Sequence, residues 1–141
     1  MSAVSVALLL VIDAALGVWL GSMVFFSFVA APRVFAVLPD DDAGRVVNDI
    51  FPRYYAFGLA LGVVAIAAGL ALGTSDGVVP DVLLLGPVAV AVAVNGYARL
   101  ALIPKMERAG DDAFAQYHRQ SVALNGVSMV AVTAGLVFAH F

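Results

Sequence analysis

The amino-acid sequence predicts an all-α integral membrane protein, a bundle of four transmembrane helices with both termini on the outer face. Three observations predict this architecture. The 141-residue chain contains four apolar stretches long enough to cross a bilayer. Its residues are 63% hydrophobic and only 12% charged, and a soluble chain of this size could not bury so much apolar surface. All seven basic residues lie in or beside two of the three connections between the stretches.

The four stretches make up a single domain over residues 1–141. The first runs from about residue 4 to residue 31, and the others cover about 54–73, 82–103 and 121–141. The first is longer than a ~30 Å hydrocarbon core requires at ~1.5 Å per residue, so we expect it to tilt or to project from the membrane. It also exceeds the roughly 7–15 apolar residues of a signal-peptide core, which predicts a retained helix.

The basic residues predict the orientation of the chain in the membrane. They are Arg33, Arg45 and Arg53 near the first connection, and Arg99, Lys105, Arg108 and Arg119 near the third. The short second connection, around Asp76, carries acids without bases. Basic residues concentrate on the cytoplasmic side of membrane proteins. The sequence therefore predicts a multi-pass protein of the plasma membrane with an outer N-terminus and an outer C-terminus.

Two further helical features are predicted on the cytoplasmic side. The acids at 40–42 can cap a helix and complement its dipole. The apolar residues that follow share one face, namely Val46, Val47, Ile50 and Phe51. This pattern predicts a short helix in the membrane interface, which Pro52 ends before the second span begins. A break at Gly110 should precede the last helix.

The fourth stretch carries a polar stripe. His118, Ser121, Asn125 and Ser128 are spaced three, four and three residues apart, so they share one helix face. Polar groups within a bilayer usually face the bundle interior. Three residues from other stretches are expected to meet the stripe: Arg33, Asn95 and Arg99.

These residues predict a cytoplasm-facing polar pocket. Its expected ligand-binding residues are Arg33, Asn95, Arg99, His118, Ser121 and Asn125. Two arginines favour an anionic or polar ligand, and His118 can change its charge near neutral pH. The alternative is purely structural. In that case Asn95 and Asn125 tie helices together by hydrogen bonds while the charged side chains extend to the headgroups.

Asp13 and the two histidines are the remaining candidates for chemistry. Asp13 is an acid within an apolar span, which makes it a candidate proton or ion site. Alternatively it lies at the outer headgroups, since the boundary falls near it when ~20 residues are counted back from Pro32. His118 and His140 lie ~33 Å apart along one helix and cannot share a metal. Without cysteine, no metal site is predicted, and a haem held by His118 alone stays an alternative.

Three pairs of glycines are spaced four residues apart, at 17 and 21, 58 and 62, and 69 and 73. Small residues at this spacing let helices approach closely in lipid. The pairs predict either close packing within the bundle or a homo-oligomer formed through one of these faces.

Composition and motifs restrict the function. A net charge of −3 gives no basic patch for nucleic acid. No hydrolase, phosphate-binding or zinc-protease motif is present, which argues against an enzyme. The sequence thus predicts a protein that binds or transports a small ion or molecule. A haem- or metal-dependent redox protein and a structural subunit of a membrane complex are the two alternatives.

Three segments carry a resemblance to a known family: WLGSMVFFSFVAAPRVFAVLP (Trp19–Pro39), IFPRYYAFG (Ile50–Gly58) and YHRQSVALNG (Tyr117–Gly126). Together they resemble the domain of unknown function 4149 family, four-helix membrane proteins with eukaryotic relatives. More distantly the chain is similar to CopD-type copper-resistance proteins and HemJ-type protoporphyrinogen oxidases. The family pattern marks Gly21, Phe25, Pro32, Phe35, Phe51, Pro52, His118 and Asn125. The wider relatives imply metal or drug resistance or haem-linked redox chemistry, although the lack of cysteine argues against copper handling.

Overall fold

The structure is a computed structural model that describes residues 2–75, 81–108 and 111–141. Within these residues the secondary structure is helical, without a strand. Four runs are long and apolar enough to cross a membrane, and they cover Ala3–Val37, Asp40–Ser75, Val82–Met106 and Gln116–Phe138. We refer to them as the first to fourth spans. The predicted all-α, multi-pass membrane architecture is therefore confirmed. The loop predicted around Asp76 and the break predicted at Gly110 lie outside the described residues.

Two of the spans are interrupted by a π-helical segment. The first span consists of α1 (Ala3–Phe25), a π segment (Phe26–Ala30) and α2 (Ala31–Val37). The second span is α3 (Asp40–Ser75) throughout. The third consists of α4 (Val82–Tyr97), a π segment (Ala98–Leu102) and α5 (Ile103–Arg108), and the fourth lies in α6 (Asp111–Phe138). We call the interruptions the first and second π segments.

Each π segment ends two residues before a proline, Pro32 in the first span and Pro104 in the third. Proline has no N–H, and in an α-helix its ring clashes with the carbonyl four residues earlier. In both spans that carbonyl lies within the π segment. There the turn is wider, and Ala31 N–H bonds the carbonyl five residues back, on Phe26. The helices therefore continue past both prolines, and the first helical run extends to Val37, beyond the predicted first apolar stretch.

The predicted separate interfacial helix before Pro52 is wrong, because α3 runs through Pro52 without a break. Its buried residues recur every three or four positions from end to end: Ala43, Val47, Phe51, Tyr55, Gly58, Gly62, Ala65, Ala68 and Gly69. The buried face thus continues across the proline on one side of the helix. Packing along this whole face compensates for the single backbone hydrogen bond that a proline removes. The sequence pattern located the amphipathic face but not the continuity of the helix.

All seven basic residues lie at one end of the bundle, which we call the basic end. Arg99 Nε donates to the carbonyl oxygen of Pro52 over 3.2 Å, so Arg99 and Arg53 lie at one level. Arg119 joins them, because the fourth span bonds the second only two residues further on, at Ser121. Basic side chains at one level are typical of the headgroup layer of a membrane. We call these three arginines the belt.

Towards the opposite end the four spans form a tightly packed core. Trp19 is 1% exposed and sits against the second span, where glycine leaves room for it. A Cβ added at Gly58 would lie 2.5 Å from Trp19 Nε1, and one at Gly62 would overlap Val92. These two glycines therefore serve packing within the bundle. Gly17 and Gly21 have open space around them and face outward, so self-association through that pair stays a prediction.

Candidate functional site

A cavity of about 420 Å³ lies between the first and fourth spans near the basic end. Its walls come from the first π segment and α2 on one side and from α6 on the other. The floor is formed by α3, chiefly Phe51, Tyr54 and Tyr55. Most of the lining side chains are apolar or aromatic, and the polar ones are concentrated on the floor and on α6.

The two spans that form the walls meet at one end and separate at the other. Away from the basic end, a Cβ at Gly135 would already lie 3.4 Å from Leu16 of the first span. Near the basic end, Gly126 lines the cavity and has nothing within 4 Å of its Cβ position. The cavity therefore occupies the space that opens where the first and fourth spans diverge.

A hydrogen-bonded chain of three side chains crosses the cavity from the second span to the first. Tyr54 Oη donates to Asn125 Oδ1 over 2.6 Å, and Asn125 Nδ2 donates to Ser27 Oγ over 2.8 Å. Both ends of the asparagine amide are thus used. The Ser27 hydroxyl accepts in this chain and also forms a side-chain hydrogen bond with Tyr54, whereas the Asn125 amide has a second N–H. All three side chains line the cavity, so the chain presents hydroxyl groups to its interior.

A second polar contact lies closer to the basic end. Tyr55 Oη and Ser121 Oγ are 3.0 Å apart in a buried hydrogen bond between the second and fourth spans. One turn before Ser121, His118 is exposed and also lines the cavity. The polar stripe of the fourth span therefore runs from an exposed histidine into hydrogen-bonded, buried positions.

Aromatic rings hold the floor in place. Phe26 of the first π segment lies 4.8 Å from the ring of Tyr54 and 5.9 Å from that of Phe51, measured between centroids. The rings of Tyr54 and Tyr55 are 5.2 Å apart and nearly perpendicular. Such offset and edge-to-face pairs are favourable beyond the area that they bury. The tyrosine hydroxyls are thereby fixed towards α6.

Three of the six predicted ligand-binding residues line this cavity, namely His118, Ser121 and Asn125. The other three do not. Asn95 is buried and donates to Ala91 O over 2.8 Å and to Ser128 Oγ over 2.9 Å. Asn95, on the third span, therefore contacts the polar stripe of the fourth span at Ser128, one turn deeper than Asn125 and outside the cavity.

The two arginines expected at the pocket also lie outside it. Arg99 is exposed, bonds the backbone of Pro52 and does not line the cavity. Arg33 is exposed and, among the described residues, has no hydrogen bond or ion pair. Arg33 directly follows Pro32, which lines the cavity. Because successive side chains of a helix point ~100° apart, Arg33 does not share the direction of Pro32. The cavity is accordingly less cationic than the sequence suggested.

Asp13 pairs with the other histidine at the far end of the bundle. Asp13 Oδ1 and His140 Nε2 are 2.8 Å apart, and both side chains are partly exposed. This contact joins the beginning of the first span to the end of the fourth, 127 residues apart in sequence. Within the described residues, no group of three or more His, Cys, Asp or Glu side chains could hold a metal ion.

Sequence reasoning missed Tyr54, Tyr55 and Ser27 as members of the site. Each of them carries a hydroxyl group within an apolar stretch, and this feature could have identified them. A buried tyrosine usually needs a hydrogen-bond partner. Tyr54 and Tyr55 stand together in the second span, opposite no obvious partner in the linear sequence. Their partners come from other spans, at separations of 71 and 66 residues.

Comparison with known proteins gives a family but no activity. The profile of the Domain of unknown function (DUF4149) matches residues 14–115. An uncharacterized protein of Aquifex aeolicus (strain VF5) is 32% identical over 127 residues, which cover 88% of this chain and 89% of that protein. No solved structure matches the chain. The profile match includes the lining of the cavity on the first and second spans.

Proposed function

The chain belongs to the DUF4149 family, and from that premise we propose that it is a non-enzymatic membrane protein that binds one small, largely apolar molecule in the cavity. The observation that carries the proposal is the chain from Tyr54 through Asn125 to Ser27. Three spans contribute one residue each to it, and it lies in the wall of an otherwise apolar cavity.

The size and lining of the cavity support a small molecule. Binding pockets for such ligands measure roughly 300–1,000 Å³ and combine apolar walls with a few placed polar groups. Here the volume is about 420 Å³, and the second N–H of the Asn125 amide can bond an acceptor oxygen. A bare ion would need several charged or carbonyl ligands, whereas aromatic and aliphatic side chains dominate these walls. The cavity therefore suits a molecule with one carbonyl or ether oxygen.

We infer the orientation of the protein from its basic end. Cytoplasmic connections of membrane proteins carry the excess of Lys and Arg. On this rule the cavity opens in the cytoplasmic half of the bilayer, and both termini lie outside. Whether the bound molecule is also carried across the membrane depends on a second conformation.

Redox function is the second candidate from the sequence. It requires His118 as an axial ligand of a haem, and His118 does line the cavity. An exposed histidine at the mouth would leave the iron near water. We therefore favour binding without a metal. A visible absorption spectrum of the purified protein separates the two functions, since a Soret band that disappears in His118→Ala would establish the haem.

A cavity-filling variant tests the proposed function. Gly126→Phe places a ring in the cavity from a position with open space around its Cβ, so the fold should tolerate it. Gly86→Phe is the matched control, because Gly86 is equally open and lies outside the cavity. In native mass spectrometry of protein extracted from its own membranes, we expect a bound small molecule on the wild type and the control but not on Gly126→Phe. Equal occupancy of all three proteins, or none on any of them, would contradict the proposal.

A further inference from the structure

We propose that the molecule in the cavity is an acyl lipid of the surrounding bilayer with an anionic head group, which enters sideways between the first and fourth spans. This inference rests on the proposed function and names the ligand of the same site. Three independent features carry it: the direction in which the cavity opens, its length, and the order of apolar and cationic groups along it.

The cavity opens towards lipid. Its edges are formed by side chains that face away from the bundle, with Phe28 70% exposed on the first span and Val122 59% exposed on the fourth. Both residues lie within membrane-crossing runs, where the exposed surface contacts hydrocarbon. Gly126, beside Val122, has no side chain to close the gap. A molecule already dissolved in the bilayer can therefore enter between the spans without crossing water.

The length of the cavity matches one leaflet of the membrane. On the fourth span its lining extends from His118 to Met129, eleven residues further along the helix. At ~1.5 Å per residue this is ~16 Å, and half of a ~30 Å hydrocarbon core is ~15 Å. On α3 its lining begins at Val47, ~9 Å outside the belt of Arg53, Arg99 and Arg119, which we assign to the headgroup layer. The cavity thus extends from the headgroups to the middle of the bilayer.

Chemical groups follow each other along the cavity in the order found in a lipid. The deep end, at Phe28 and Met129, is apolar and suits an acyl chain. The Asn125 amide lies between the two ends, and its second N–H can donate to an ester carbonyl. At the shallow end His118 lines the cavity, and Arg119 is the next residue of α6. A small volume of about 420 Å³ favours one chain over two.

Arg119 supplies the preference for an anionic head group. It is three and seven residues before Val122 and Gly126, so these three share the helix face along the open edge. Its side chain is exposed and, within the described set, has no hydrogen-bond or ion-pair partner. An arginine there can bind a phosphate or carboxylate with paired N–H groups. A cationic head group would be repelled from the same position.

The test compares two single-chain lipids that differ in the head group alone. Native mass spectrometry of the purified protein titrated with lysophosphatidylglycerol and lysophosphatidylcholine of the same acyl chain gives the two affinities. We expect the anionic lipid to bind about tenfold more tightly, the effect of one charge-assisted contact. Arg119→Gln should abolish this preference. Arg108→Gln removes the same charge at a residue bonded to its own helix at Pro104, and it should retain the preference.

Each other outcome has a defined meaning. Equal affinities for the two lipids, both lost in Gly126→Phe, would overturn the anionic head group and leave the proposed cavity function standing. Lipid binding that Gly126→Phe does not weaken would overturn the cavity as the site. Failure of both lipids to bind would overturn the lipid as ligand. Inorganic phosphate, titrated alone and in competition, should neither bind nor displace the lipid, and displacement would identify a soluble anion instead.

Discussion

The two ends of this bundle are built from the same four spans but packed in opposite ways. Away from the basic end, glycines face large side chains: Gly58 and Gly62 meet Trp19, and Gly135 meets Val88. Near the basic end, the glycine that faces the gap between the first and fourth spans, Gly126, meets nothing within 4 Å. There aromatic rings line a cavity that they do not fill.

This difference indicates that stability and ligand binding depend on opposite ends of the same four spans. In lipid, helices associate largely through close packing of small residues, because the hydrophobic effect does not drive them together. The glycine-packed end can therefore hold the bundle together. The basic end is then free to keep the first and fourth spans apart, with polar contacts spanning the gap. The predictions below probe this division.

The largest expected effect is a difference in cysteine labelling between the two ends of the bundle, which we expect to face water on opposite sides of the membrane. The chain has no cysteine, so single cysteines can be introduced without background labelling. Ser75 and Gly44 lie near opposite ends of α3, ~47 Å apart along the helix. In intact cells, a membrane-impermeant maleimide should modify Ser75→Cys and spare Gly44→Cys. The reverse pattern would place the cavity in the outer leaflet.

The next effect concerns packing at the two ends. In Gly62→Ala, the new Cβ would overlap Val92 and lie 2.9 Å from Trp19 Cζ3. Overpacking of this kind should lower the free energy of unfolding by about 1–3 kcal/mol. Gly126→Ala is the matched control and should be neutral or slightly stabilising, since alanine favours the helix. Thermal unfolding in detergent, followed by the fluorescence of the single tryptophan, measures both. Equal losses would show that the two ends are packed alike.

A smaller effect is expected from the polar chain across the cavity. Asn125→Leu removes two hydrogen bonds and leaves the hydroxyls of Tyr54 and Ser27 without this partner. We expect a loss of about 1–2 kcal/mol in the free energy of unfolding. His118→Ala, at an exposed position of the same stripe, should change stability by less than about 0.5 kcal/mol. Chemical denaturation of both variants provides the comparison, and a similar loss in each would make His118 a structural residue.

The smallest effect should come from the pair that closes the other end. Asp13→Asn keeps the shape of the side chain but weakens its contact with His140. Partly exposed ion pairs contribute about 0–1 kcal/mol, so the midpoint of thermal unfolding should fall only slightly. His140→Gln should behave in the same way, and the double variant should cost no more than either single one. Additive losses would mean that the two residues act independently.

The sequence predicted the spans well because they depend on composition alone. Apolar length and the distribution of bases needed no knowledge of tertiary contacts. The helix ends at Pro32 and Pro52 were mispredicted for a shared reason. Pro32 and Pro52 were each taken as a boundary, a rule that holds for an isolated helix. In the bundle, a π segment accommodates Pro32 and continuous packing carries α3 past Pro52.

The candidate site was predictable from one helix but not between helices. The spacing of His118, Ser121 and Asn125 on the fourth span identified the residues that line the cavity on α6. Their hydrogen-bond partners depend on how the other spans are rotated and shifted along the bundle relative to α6. No local sequence pattern encodes that arrangement. An apolar neighbourhood also made Tyr54 and Tyr55 resemble core residues. Arg33 and Arg99 were assigned to the pocket because they lie close in sequence to its expected mouth. In the structure both side chains lie outside the cavity.

The first π segment makes the cavity wall tolerant of the number of residues in the chain. A π turn closes its hydrogen bond over one residue more than an α turn. The segment therefore holds one extra residue, and Phe35 of α2 lines the cavity at a place that an uninterrupted α-helix would reach one residue earlier. Deleting a lipid-facing residue such as Val29 should convert the π turn into an α turn and leave α2 facing the same way relative to α1. A family built on this fold can thus gain or lose a single codon here and keep the same side chains in the wall of its cavity.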